Sequence, residues 1–108
     1  MIDQDALRYL VAAAALLDVP LGNLYRKRGR ANDVRLLAAA AWLMAGVRYK
    51  QVDAIYHPLG TYANRKAALR AYAGSHKDMV WRGVCAAQVI KPEQAAYLWQ
   101  AANKEGRR

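Results

Sequence analysis

The side chains of this 108-residue chain whose types and spacing could do chemistry are basic, not acidic or nucleophilic. One cluster reads Arg26-Lys27-Arg28-Gly29-Arg30, and a second reads Thr61-Tyr62-Ala63-Asn64-Arg65-Lys66. Guanidinium and ammonium groups bind phosphate oxygens, and Arg does so with two parallel hydrogen bonds. Arg and Asn also make paired hydrogen bonds to guanine and adenine, while Thr and Tyr reach methyl groups or phosphates. Arg35, Arg48 and Lys50 lie between the two clusters. From residue 26 to residue 70, ten Lys/Arg stand against two acids, Asp33 and Asp53, so this stretch holds almost all of the net charge of +9. A surface charged only for solubility mixes both signs. The segregation points to a polyanionic partner, with double-stranded DNA the first expectation.

Other chemistries find little footing. The acids Asp3, Asp5, Asp18, Asp33, Asp53, Asp78, Glu93 and Glu105 are scattered, and no Ser-His pairing or metal-ligand spacing accompanies them. No enzyme, cofactor, metal or small-molecule substrate is expected. Cys85 is the only cysteine, which excludes an intramolecular disulfide and a cysteine-based zinc site, and its apolar neighbours suggest a small core residue. His57 and His76 each lack a second ligand and read as surface residues. The N-terminus has no basic segment ahead of an apolar one, and the apolar stretch at 11–17 is too short to cross a bilayer. The expectation is a cytoplasmic, nucleoid-associated protein that does not enter membranes.

The elements that must position the basic residues are helices. Alanine dominates, Phe is absent, and no alternating run argues for a strand. A first helix should start at Asp3 or Asp5, bury Leu7, Leu10, Val11, Ala14 and Leu17, and stop at Asp18-Val19-Pro20. A helical turn over 21–25 leads into the basic loop at 26–30, where Gly29 disfavours helix. Asn32 should cap a second helix with Leu37, Ala40, Ala41 and Met44 buried, Leu36 and Leu43 beside them, and Trp42 at the edge; Gly46 ends it. A short helix over 49–56 presents Val52, Ile55 and Tyr56 inward, and His57-Pro58-Leu59-Gly60 is a turn. Thr61 then caps a helix to about residue 73, packed through Ala63, Ala67, Ala68 and Leu69 and broken at Gly74-Ser75. Helices over about 77–90 and 92–104 follow, with Val80, Trp81, Val84 and Cys85, then Ala95, Leu98, Trp99 and Ala102, at helical spacing. Short helix, Gly-containing turn and longer helix over about 49–73 form the layout of a helix-turn-helix, whose second helix offers its N-terminal residues to the major groove.

The stretch LDVPLGNLYRKRGRANDVRLLAAAAWLMAGVRYKQVDAIY resembles the C-terminal DNA-binding domain of the bacterial replication initiator DnaA. Gly22-Asn23-Leu24-Tyr25 matches that family's short turn, residues 26–30 its basic loop, and Arg35 its early helix arginine. Ala45-Gly46-Val47-Arg48-Tyr49-Lys50-Gln51-Val52 matches the lead into its helix-turn-helix. The resemblance covers roughly residues 10–73. It implies an all-α, Trp-repressor-like fold with two C-terminal helices added, the whole chain forming one domain. It also implies that Arg28 and Arg30 enter the minor groove while Arg35, Arg48 and Lys50 hold phosphates. Where the family carries Asp-His-x-Thr, this chain reads Gly60-Thr61-Tyr62-Ala63, so two of the family's base readers have no counterpart. The phosphate-binding Gly-x-x-x-x-Gly-Lys-Ser/Thr loop of an ATPase is also missing. A stand-alone phage or accessory transcriptional regulator is therefore expected in place of an initiator.

The DNA-binding residues expected are Arg26, Lys27, Arg28, Arg30, Arg35, Arg48, Lys50, Thr61, Tyr62, Asn64, Arg65 and Lys66. The alternative is a protein-interaction adaptor or inhibitor of the replication or transcription machinery that applies its basic face to an acidic protein. RNA is a weaker third partner, because no RNA-module motif is present. The C-terminal helices could form a homodimer interface through Trp81, Val84, Leu98 and Trp99, or fold back and complete the core.

Overall fold

Asp3 begins the first helix as expected: its carboxylate accepts hydrogen bonds from the backbone N–H groups of Asp5 (2.9 Å) and Ala6 (3.3 Å). The computed structural model describes residues 3–25, 30–56 and 66–106, with the side chains of Tyr25, Tyr56, Lys66 and 103–106 left aside. Its helices are α1 (Gln4–Leu16), α2 (Ala31–Met44), α3 (Asp53–Tyr56), α4 (Lys66–Ser75), α5 (Lys77–Gln88) and α6 (Pro92–Gly106). Two 3₁₀ turns, Leu21–Tyr25 and Tyr49–Val52, precede α2 and α3. The described residues are all-helical, with no strand among them.

The helices are organised around α1 and α2. α1 packs against α2, α5 and α6, while α2 packs against α1, α5 and α4; α6 also covers the first 3₁₀ turn. Alanine makes this centre possible. Ala12, Ala13 and Ala14 on α1 and Ala38 to Ala41 on α2 are buried, and their small side chains let two helix backbones approach closely. Leu10, Val34, Leu37, Val80 and Trp99 fill the remaining space. Gly83 allows the approach of α5, because a Cβ there would lie 3.1 Å from the Cβ of Ala41.

Both central helices end in the same hydrogen-bond motif. After α2, Val47 N–H donates to Trp42 O (3.4 Å) and Gly46 N–H to Leu43 O (3.0 Å), with Gly46 at φ +107°. After α1, Val19 N–H donates to Ala14 O (2.9 Å) and Asp18 N–H to Ala15 O (3.2 Å). There the left-handed position is taken by Asp18, at φ 55°.

Several sequence expectations are corrected. The residue preceding α2 is Arg30, with no side-chain cap, so Asn32 lies within the first turn. Met44 is exposed while Trp42 is buried and stacks on Tyr9, ring centroids 6.0 Å apart, because α2 is enclosed on nearly every side. Gly74-Ser75 does not break α4; the break is His76 alone, whose φ of −128° and ψ of 43° leave the helical region. Ala67 and Ala68 face solvent, and α4 instead turns Leu69 and the half-buried Tyr72 and Ala73 inward. Trp81 and Cys85 are exposed, since α5 buries Val80, Gly83, Val84 and Ala87 on the opposite side. The C-terminal helices fold back: Trp99 and Val84 are core residues of their own chain.

Arg8 ties this fold-back together. Its Nε donates to the carbonyls of Ile90 (2.8 Å) and Ala87 (3.3 Å), and its Nη1 pairs with the Asp5 carboxylate at 3.0 Å. A cation thus meets backbone carbonyls at the negative, C-terminal end of α5, where the Ala87 carbonyl also accepts from Ile90 N–H at 3.2 Å. Nothing in the local sequence around Arg8 announces a partner 82 residues away.

Candidate nucleic-acid interface

The frame that would carry a helix-turn-helix is held on α2. Gly46 turns the chain after α2, the second 3₁₀ turn follows, and Val52 and Ile55 anchor that turn and α3 in the core. α3 touches both α1 and α2, and α4 returns to pack on α2 through Leu69. The second 3₁₀ turn is stapled at its start: the side-chain carbonyl of Gln51 accepts from Arg48 N–H (3.3 Å), and Gln51 N–H donates to Arg48 O (2.9 Å). The backbone carrying Arg48 and Lys50 is thereby set, and both side chains are left exposed.

Arg30 is exposed at the opposite end of α2. The helix between has 14 residues and is about 20 Å long at 1.5 Å per residue, with Arg30 and Arg48 beyond its two ends. Charges spaced in this way match an extended polyanion and not a single small anion. About 20 Å corresponds to roughly six nucleotides along one strand at 3.4 Å each.

Arg35 differs from the other expected phosphate ligands. It is 5% exposed and its Nε donates to Ala31 O at 3.3 Å, so it is built into the first turns of α2 and does not stand on the surface. Lys66 opens α4. Arg26, Lys27, Arg28, Thr61, Tyr62, Asn64 and Arg65 lie outside the described residues. Arg70, which the sequence reading counted in the charge but not in the site, is exposed on α4. The signal was available, because Arg70 follows Lys66 by four positions and shares its helix face.

An apolar groove of about 460 Å³ lies where the end of α2, the second 3₁₀ turn and α4 meet. Leu43, Met44, Tyr49, Leu69 and Ala73 line it together with Arg70. Further along the same helix, Tyr72 stacks on His76 with centroids 4.1 Å apart, and burial raises the Tyr72 phenol above its ordinary value near 10, assisted by Asp33. Among the described residues, no group of three His, Cys, Asp or Glu side chains could hold a metal ion. No helix among them is long and apolar enough to cross a membrane. Comparison with protein-family models, with curated proteins and with solved structures finds no match.

Proposed function

We propose that this protein binds double-stranded DNA as a transcriptional regulator, with the segment beginning at Thr61 reading the major groove and the basic loop at 26–30 gripping the adjacent minor groove. The observation that carries the reading is the placement of charge. The segment from 26 to 70 holds ten Lys/Arg against two acids, and Arg30, Arg48, Lys50 and Arg70 stand exposed on elements that α2 supports. The Trp-repressor-like arrangement and association with the nucleoid belong to the same reading. So does the absence of catalysis.

Cations on both ends of α2 and on α4 would neutralise several phosphates at once and release their counterions. For about six such contacts, affinity should fall by about three orders of magnitude between 50 and 200 mM salt. The test is fluorescence anisotropy with random duplex DNA across a salt series, followed by selection from a random duplex pool with Arg65→Ala in parallel. An enriched motif that Arg65→Ala relaxes is the expected outcome. Binding that hardly changes with salt, or no binding, overturns the proposal.

A second reading is favoured by the apolar groove beside Arg70, which suits an apolar side chain flanked by an acidic one. In that case the protein is an adaptor for an acidic protein surface. Charge reversal at Arg28 and Arg30 would then weaken a protein complex while no affinity for DNA is found at any salt.

A further inference from the structure

Of the three tryptophans, Trp42 and Trp99 are buried and Trp81 is 59% exposed. Trp81 is not isolated. Cys85 follows it by four positions and Val89, which caps the end of α5 and is 81% exposed, by eight, so the three run from the flank of the buried side of α5 to the side opposite Val80, with the exposed Arg82 beside them. The row has an order: a large ring at one end, a small thiol in the middle and a branched aliphatic at the other end. Its ends also differ in charge. Asp78 lies in the first turn of α5 beside the Trp81 end, and Lys91 follows the Val89 end; both are exposed.

We infer that this face of α5 docks a second copy of this chain, antiparallel about a two-fold axis near Cys85. An isologous contact must be complementary to itself. The antiparallel arrangement sets Trp81 of each copy on Val89 of the other, brings the two small thiols together where the helices cross, and faces Asp78 with Lys91 twice. The parallel arrangement would set ring on ring and carboxylate on carboxylate. The order of side-chain sizes and the Asp78 and Lys91 charges therefore favour the antiparallel pairing of two copies. A single helix pair buries less than the roughly 1,600 Å² of a standard interface, so the association belongs to the weak class, with a dissociation constant on the order of micromolar. The inference does not depend on the DNA reading, since none of these residues belongs to that site.

The experiment is sedimentation velocity of the full chain over a range of concentrations, with circular dichroism to verify folding. Wild type should pass from monomer to dimer as concentration rises, and Trp81→Asp should weaken dimerisation at least tenfold. Asp78→Lys and Lys91→Asp should each weaken it several-fold, and the double variant should recover it. A short bismaleimide should capture the dimer through Cys85, and Cys85→Ser should abolish the capture. Monomer at every concentration overturns the inference, as does a dimer indifferent to Trp81→Asp or a charge swap without recovery. Both charge-swap positions are exposed, so the recovery remains decisive if Trp81→Asp fails to fold.

Discussion

α2 and α4 pack against each other and are written in nearly the same vocabulary, yet one is enclosed and the other is a surface helix. In α2, nine of fourteen residues are buried, including Ala38 to Ala41 and Trp42. In α4, Leu69 is buried, Tyr72 and Ala73 are half-buried, and Ala67, Ala68 and Arg70 face solvent. The difference teaches that alanine carries no direction. It favours helix wherever it stands, because its side chain loses no rotamer freedom. Whether it faces a neighbour or water depends on what else packs there. The enclosed helix carries the fold, and the exposed one is free to present Arg70.

The largest effect that tests this contrast is a truncation at the centre of α2. Leu37→Ala should cost about 3 kcal/mol, because Leu37 is fully buried between α1 and α5 and the cavity cannot collapse among close-packed alanines. Chemical denaturation gives the value directly. A loss below about 1 kcal/mol would mean that α2 is less enclosed than its burial suggests.

The second test makes the same change in both helices. Ala38→Leu should destabilise by about 2 kcal/mol through overpacking, whereas Ala68→Leu should stay within about 0.5 kcal/mol. For a chain of this size, thermal melts should place the two variants roughly 10 °C apart. Equal shifts would dissolve the distinction between the two helices.

A third test concerns how the central helices stop. Gly46→Ala should cost about 1 kcal/mol although open space surrounds its Cβ position, because φ of +107° strains any L side chain. Asp18→Gly should stabilise by up to about 1 kcal/mol, since the matching position after α1 already holds φ 55° with a residue less suited to it. Opposite signs at two copies of one motif would show that the backbone, not side-chain contact, sets the cost.

The smallest effect is alkaline. Burial raises the Tyr9 phenol above its ordinary value near 10, with Arg8 lowering it and Asp5 raising it to lesser extents. A raised folded-state value favours the neutral form in the fold. The stability it contributes is present below pH 10 and is lost as pH rises through the folded-state value above it. Melting temperatures should therefore decline from about pH 10 upward, and Tyr9→Phe should make the decline shallower. An unchanged slope would mean that Tyr9, stacked against Trp42 on α2, keeps no preference for the neutral phenol.

Helix boundaries were legible wherever the signal is local. Asp3 as a cap, Pro20 as a stop, Gly46 as a left-handed terminus and the turn at Leu21–Tyr25 each depend on the backbone within a few residues. Gly74-Ser75 misled because a glycine inside a helix costs only about 1 kcal/mol, which packing on either side offsets. The charge segregation over 26–70 was legible too, since counting needs no fold. Burial was legible only in part. Periodicity identified Leu7, Leu10, Leu37, Val52 and Ile55, placed Met44 and Cys85 inside and Trp42 at the edge, and left Trp81 and Val84 open between core and dimer interface. In the candidate site, Arg48 and Lys50 stand exposed as expected and Arg35 does not.

The sequence by itself thus determined the all-helical character, most helix ends and a basic middle, because propensity, capping and charge act over a few residues. Tertiary structure alone decided that Trp99 is core and Trp81 is surface, that Arg35 is built into α2, and that Arg8 reaches Ala87 and Ile90. Those outcomes depend on which helices meet. In a chain whose helices are coated with alanine, many pairings have similar apolar faces, so the choice rests on the few large side chains and on contacts between residues far apart in sequence.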